Sequence, residues 1–264
     1  MTWHLKKIPK IAHFFWDDRP MSFLRWMTLR SFAMLNPTWK LKLHMSKTAT
    51  GPGWRSPNNK QTYDYADYRG MLSRVPRLTI VPENRYPNMH GVHQSDILRN
   101  IYLSGEGGIW SDVDILFYRP IDLLLANAPE NSNHTCGLCN YPRWMPIGFL
   151  MSAPGDPYYT KVAEVQNQIF KKSPGGEYQK FGTGVYKNVL ANGDYKFFNL
   201  AMHEVYQIHW SRALDVFVGK YDISKGIGLH WYGGSAAARE FEPKINQKNW
   251  TQFPIRNILE PSLK

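Results

Sequence analysis

Cysteine is scarce in this chain: its 264 residues hold two, Cys136 and Cys139. No disulfide framework can be built from so few, and a reducing compartment is the simplest setting. Long apolar runs are missing as well. None approaches the roughly 18 residues that a membrane span requires, and the opening residues do not read as a signal peptide. A cytoplasmic protein is expected, at most resting on the inner face of a membrane. Acidic residues are the third shortage, with 21 Asp and Glu against 32 Lys and Arg, a net charge of +11 and a pI near 9.5. Anionic partners follow from that balance. The positive charge is not gathered into one basic helix or arm, since only short clusters such as Lys6, Lys7 and Lys10 or Lys171 and Lys172 occur. Such dispersal argues against nucleic acid and leaves a nucleoside diphosphate, an acidic polysaccharide or an anionic membrane face.

Hydrophobic residues make up 43% of the chain, aromatics 14% and charged residues 20%, the composition of a soluble globular protein. The length suits one α/β domain over residues 1–264, with a nucleotide-binding half at 1–118 and a second half at 119–264. Ile8 to Phe15 reads as a first strand that leads into Trp16. Ligands of open α/β sheets gather beyond the carboxyl ends of such strands, so Trp16 is placed to stack on a base, with core packing as the other reading of so large an aromatic. A helix from Pro20 to about Leu35, a strand over Trp39 to Met45, a loop over Thr48 to Lys60, a helix over Thr62 to Ser73 and a strand over Arg77 to Val81 follow.

His93 to Asp114 concentrates the chemistry. Ser95 offers an N-cap hydroxyl, Ile97, Leu98, Ile101 and Tyr102 form one apolar helix face, and Gly105 to Gly108 end the helix. Ile109 and Trp110 then make a short strand that delivers Asp112 and Asp114 to its end, pointing the same way because strand side chains alternate. Like charges so close call for a cation between them. Hard divalent ions such as Mg²⁺ or Mn²⁺ take oxygen ligands, and phosphates would complete the shell. Asp96 and Arg99 stand three apart on the polar face of the helix and point to the same site. As an exposed pair they would contribute only about 0.2 to 1 kcal/mol, and their role is to bind.

These residues resemble glycosyltransferase family 32, the Asp-x-Asp sugar transferases that include yeast-type mannosyltransferases and the glucosyltransferase domains of large clostridial toxins. The family signature is a Ser-Asp-x-x-Arg helix, a Gly-Gly pair, an aromatic and Asp-x-Asp, matched by Ser95, Asp96, Arg99, Gly107, Gly108, Trp110, Asp112 and Asp114. Its opening Ile-Pro-x-Ile-x-His strand and Trp match Ile8, Pro9, Ile11, His13 and Trp16. A closing His-x-aromatic-x-Gly-Ser pattern matches His230, Tyr232, Gly234 and Ser235, with Ala236 where a Trp is usual. Two departures stand out: Ile147 and Gly148 replace an Asn of the sugar site, and Val185 replaces the Pro of a Thr-Gly-Pro motif begun by Thr183 and Gly184.

The resemblance implies a GT-A fold, a Rossmann-like α/β domain with a mixed sheet flanked by helices. It implies a retaining hexosyltransferase, dependent on Mn²⁺ or Mg²⁺, that moves a sugar from a UDP- or GDP-sugar donor to a hydroxyl of a glycan or glycoconjugate, as in polysaccharide biosynthesis. Asp112, Asp114 and His230 become the implied metal ligands. Asp96 is assigned to ribose or sugar hydroxyls, Arg99 to sugar or phosphate and Trp16 to the base, with Trp110, Ser235 and Lys225 also on the donor side. Residues 119–264 become an acceptor half with a C-terminal lid.

Outside the signature the sequence says less. Gly226 to Ser235 reads as a glycine-rich loop that closes over the donor, although a lone His such as His230 is more often structural. His134, Cys136 and Cys139 are too few for a structural zinc site and are read as ordinary residues at or near a strand. Pro146 to Pro157 should give a strand and a turn, then a helix from Asp156 toward Lys171, and another helix ends near Asn192. Residues after Glu240 either pack on the core or rest on a membrane. The rival to an enzyme is a non-catalytic nucleotide-sugar or nucleic-acid binding protein.

Overall fold

A computed structural model describes residues 8–46, 66–87, 89–126, 135–173 and 179–263. The expected loop at Thr48 to Lys60, Lys6 and Lys7, His134 and the start of the helix expected at Thr62 lie outside these residues. Alternation divides β1 (Ile11–Asp17) between two layers: Ala12, Phe14 and Trp16 enter one apolar cluster and Phe15 the other. The Ser22 hydroxyl accepts from the Arg25 N–H and caps α1 (Phe23–Leu35), which therefore starts after the expected Pro20. β2 (Lys40–Ser46) follows. Arg69–Arg74 form a 3-10 helix in place of an α-helix, and β3 (Leu78–Pro82) comes next. α2 (Gly91–Gly105) begins a turn earlier than Ser95 predicts, because His90 Nδ1 accepts from the Val92 N–H and supplies the cap.

The chain continues through β4 (Gly108–Ser111), β5 (Ile115–Phe117), α3 (Asp122–Ala126), β6 (Cys136–Leu138), β7 (Phe149–Ser152) and α4 (Pro157–Lys172). α5 (Thr183–Ala191), β8 (Phe198–Asn199), α6 (Leu214–Phe217), β9 (Gly228–His230), α7 (Ala236–Phe241) and α8 (Arg256–Leu259) complete the regular elements. Among the described residues, one mixed sheet runs in the order β3-β2-β1-β4-β7-β6-β8, and β5 pairs with β9 in a separate ribbon. β3, β2, β1 and β4 are parallel, whereas β7 joins β4 antiparallel. The chain moves outward from β1 on one side and returns on the other as β4, which makes a crevice beyond the carboxyl ends of these two strands.

Gly107 and Gly108 carry this arrangement. Their φ angles are 69° and 97°, and a Cβ on Gly108 would stand 2.3 Å from the Ile11 carbonyl oxygen. The pair ends α2 and lets β4 lie against β1. On one face of the sheet α2, α4 and α5 bury Ile97, Tyr158, Val162 and Tyr186 with Trp110 and Leu150. On the other, α1 and the C-terminal segment bury Phe32, Ile245, Ile255 and Leu259 with Phe14, Ile109 and Phe149. Residues after Glu240 thus pack on the core. Cys136 and Cys139 are buried free thiols, and burial pushes the Cys139 thiol up to about 12.

A polar seam runs through this core. His13 and His44 face each other across β1 and β2, with Nδ1 of His13 3.0 Å from Nε2 of His44 and Nε2 of His13 3.0 Å from the Gly107 carbonyl. His13 therefore donates to Gly107, and His44 donates to His13. Burial, foremost, lowers His13 to about 4 and His44 to about 3. Both rings are neutral in the folded chain and protonate in the unfolded chain near pH 6.5, so their contribution to stability is present above that pH and is lost as the pH falls toward 4. Urea unfolding should show about 2 kcal/mol lost for each ring between pH 7.5 and 5. His44→Gln should remove roughly half of that acid sensitivity, and an unchanged pH slope would rule the pair out as its source.

Candidate active site

The two carboxylates stand in the turn between β4 and β5, just beyond the strand end. The turn is clamped on both sides: the Asp112 N–H donates to the Gly148 carbonyl at 2.7 Å, and the Trp231 N–H donates to the Asp114 carbonyl at 2.9 Å. β9 lies antiparallel to β5 with His230 opposite Ile115. Asp112, Asp114 and His230 consequently converge, each offering a ligand atom, all within 4.8 Å of one another. His230 Nε2 stands 3.2 Å from Asp114 Oδ1, and the Gly233 N–H donates to Asp114 Oδ2 at 2.8 Å. The Tyr232 N–H donates to His230 Nδ1 at 3.2 Å, which puts the proton of the neutral ring on Nε2, toward Asp114.

Arg99 organises the other side. Its Nη2 is 2.8 Å from Asp96 Oδ1 and 3.4 Å from Asp112 Oδ1, its Nε donates to the Ser95 carbonyl at 3.2 Å, and Nη1 donates to the Ile147 carbonyl. The pair with Asp96 is buried, not exposed as its place on the helix suggested. Burial raises the Asp96 carboxyl to about 7, with Arg99 opposing and Asp112 adding to the rise. Burial likewise raises Asp112, opposed by Arg99 and reinforced by Asp114. Asp114 goes the other way: burial disfavours its charge, but the His230 imidazole, Arg25 and the Gly233 N–H outweigh it and hold the carboxyl well below the usual range. One carboxylate is thus firmly ionised beside another whose charge is unwelcome, a set that a cation would complete.

These residues line a cavity of about 1210 Å³ together with Trp16, Arg25, Gly148 and Ser235. Trp16 is 6% exposed; its Nε1 donates to the Arg19 carbonyl at 2.9 Å, and Arg25 and Arg19 lie over its ring at 4.7 and 5.6 Å. It is both a core aromatic and part of the wall. Trp110 does not reach the cavity. It is fully buried and donates to Asp112 Oδ1 at 3.2 Å, which aims that carboxylate. Lys225 is corrected too: it lies at the end of β9 away from His230 and outside the cavity wall. Ser235 lines the wall and caps α7 through the Ala238 N–H. The segment expected as a lid holds His230 in a strand, with its N–H donated to the Val205 carbonyl at 2.9 Å.

Sequence reasoning missed Arg25, which faces the interior from α1. Its Nε donates to Glu242 Oε1 at 2.7 Å, and its guanidinium lies between the rings of Trp16 and Trp231, at 4.7 and 5.1 Å. The signal was faint: a basic residue among buried α1 neighbours has no spacing that marks its partner 217 residues away.

Residues 5–131 match the family model of the glycosyltransferase sugar-binding region containing a DXD motif. This stretch is similar to that region. It runs from before β1 to beyond α3 and contains the Asp112–Asp114 turn. Comparison with curated proteins finds no match. Among solved structures, the PaToxG glycosyltransferase is 16% identical, with a TM-score of 0.51 over 70% of this chain and 68% of that one. The glycosyltransferase GlyE of Streptococcus pneumoniae TIGR4 is 12% identical, with a TM-score of 0.52 over 97% of this chain and 61% of that one. The chain thus spans about 61% of the length of GlyE. At such identities the likeness is one of fold, and the fold is GT-A: a mixed sheet flanked by helices.

For the DXD region, the burial of Arg99 has a consequence for stability. Arg99→Ala leaves Asp96 buried without its cation and should cost about 3 to 5 kcal/mol, against less than 1 for an exposed pair. Urea denaturation at pH 7.5 measures this, and a loss below about 1 kcal/mol would return the pair to the surface class.

Proposed function

We propose that the protein is a metal-dependent hexosyltransferase that moves a sugar from a UDP- or GDP-sugar to a hydroxyl of a glycan or glycoconjugate, with retention of configuration. The observation that carries this reading is the convergence of Asp112, Asp114 and His230 within 4.8 Å on the wall of a cavity of about 1210 Å³. Two carboxylates and one imidazole suit Mn²⁺ or Mg²⁺. Asp114 Oδ1 is buried beside His230 Nε2, 3.2 Å away, and a Cβ on Gly148 would stand 2.8 Å from Asp112 Oδ2 and 3.3 Å from His230 Nε2. The residues present therefore fit such an ion. When bound, it would neutralise the departing nucleoside diphosphate.

The chain's own groups do the rest. Asp112 and Asp114 would hold the ion, with Arg99 and Trp110 keeping Asp112 aimed. His230 would offer Nε2 as a third ligand with its ring proton on Nδ1, in place of the bond from the Tyr232 N–H. Asp96 binds hydroxyls of the donor sugar or ribose, Trp16 packs against the base end of the donor, Ser235 bonds the diphosphate, and Arg25 faces its charge. Fixed cations around the leaving group stabilise charge that grows as the glycosidic bond breaks. Residues 1–264 act as one domain, the second half receiving the acceptor. Among the described residues no helix is long and apolar enough to cross a membrane, and we place the protein in the cytoplasm, at most at the inner face of a membrane.

Incubation with UDP- and GDP-sugars and Mn²⁺ should release nucleoside diphosphate by slow hydrolysis. Asp112→Asn or Asp114→Asn should lower that release on the order of 10²-fold. Release that is equal with and without Mn²⁺, or unchanged in both variants, would sink the metal assignment; donor binding without release would make the protein a binder. Gly148→Ala pushes a methyl against the ligand atoms while the fold accepts it. Mn²⁺ affinity, read from the electron paramagnetic resonance of the free ion, should fall about 10- to 100-fold. Wild-type affinity in that variant would mean that the ion sits elsewhere.

A further inference from the structure

Part of the cavity lies away from the carboxylate turn and has a different chemistry. At about 1210 Å³ the cavity exceeds the roughly 300 to 1,000 Å³ of a site for one small molecule, so a second ligand fits beside a donor. One stretch of wall comes from the connection between β6 and β7 and from α5, which contribute Arg143, Trp144, Thr183 and Lys187. The Thr183 hydroxyl donates to the Met145 carbonyl at 3.1 Å and ties the first turn of α5 to that connection. Lys187 stands four residues on, along the same helix face. Trp144 is steadied by a bridge to Tyr141 and by edge contacts with the rings of Tyr206 and His209 at 5.7 and 4.7 Å. Trp210, beside His209 on the same cavity, is 60% exposed.

The charges differ between the two regions. Near the carboxylate turn Arg99 is committed to Asp96 and Asp112, Arg25 to Glu242 and Arg19 to Asp17, while Arg239 of the same wall donates to the Gly234 carbonyl at 2.7 Å. Among the described residues Arg143 and Lys187 have no ion pair. The acids of the wall, Asp17, Asp96, Asp112, Asp114 and Glu240, all belong to other elements. Two uncompensated cations on a concave wall attract an anion, and the indoles offer broad rigid faces to a ring.

We propose that this wall is the acceptor subsite and that it takes an acceptor bearing an anionic group, a phosphate or a carboxylate on a sugar. Arg143 and Lys187 hold the anion while Trp144 and Trp210 pack against the sugar ring. This rests on the transferase reading, and it adds the chemical class of the acceptor. The net charge of +11 favours the same class by drawing polyanions to the protein.

The labelled full chain, applied to an array of neutral, uronate-bearing and phosphate-bearing oligosaccharides of matched backbone, tests it. Binding to an anionic set should exceed the neutral set by about tenfold or more and weaken as salt rises from about 50 to about 500 mM. The two anionic arms tell carboxylate from phosphate. The double variant Arg143→Ala, Lys187→Ala, checked for an unchanged melting temperature, should lose the preference. Equal binding to neutral and anionic sets, absence of binding to all of them, or a preference that survives the double variant overturns the proposal. The array requires no turnover, so its failure stands apart from a failure of donor hydrolysis.

Discussion

One buried guanidinium holds the functional end of the molecule together. Arg99 reaches from the middle of α2 to Asp96 on its own helix, to Asp112 in the β4–β5 turn and to the Ile147 carbonyl ahead of β7. Three segments that meet at the carboxyl end of the sheet thus share one cation. A buried charge is tolerable only when its donors are satisfied, and here two carboxylates and a carbonyl satisfy them. The geometry of the carboxylate turn and the seating of α2 are consequently one constraint.

The sheet supplies the rest of the frame. Direction reverses between β4 and β7, and at that seam the chain leaves β4 through the carboxylate turn. The β5–β9 ribbon then brings the C-terminal part back across the turn, so that His230, the Gly233 N–H and, through Glu242, the orientation of Arg25 all depend on residues far along the chain. Arg19, Arg25 and Arg99 pair with acids around the turn, while Arg143 and Lys187 have no ion pair among the described residues.

Much of the fold was legible locally. Period-two alternation in β1 and β2, the apolar face of α2 and the glycine pair each act over a few residues, and the strands and helices appear close to where those patterns put them. Errors occurred where a local signal had a competitor. Ser95 looks like a helix cap, yet His90 takes that role and frees Ser95 to bond Arg99. The Gly226–Ser235 run looks like a mobile loop, yet its centre is a strand because β5 offers a free edge to pair with. Lys225 seemed close to His230 by number, but a strand of extended backbone carries it to the other end.

The sequence by itself determined that two carboxylates stand at a strand end after a Gly-Gly break, with Asp96 and Arg99 one helix earlier, because those spacings convert directly into positions on a helix and a strand. Only the tertiary structure decided which groups meet. Burial turned an apparent surface ion pair into the central support, moved Trp110 from donor contact to aiming Asp112, and brought Arg25 and Glu242 together across 217 residues. Such contacts depend on how layers pack and on what water is excluded, and neither is written in the periodicity of any single segment.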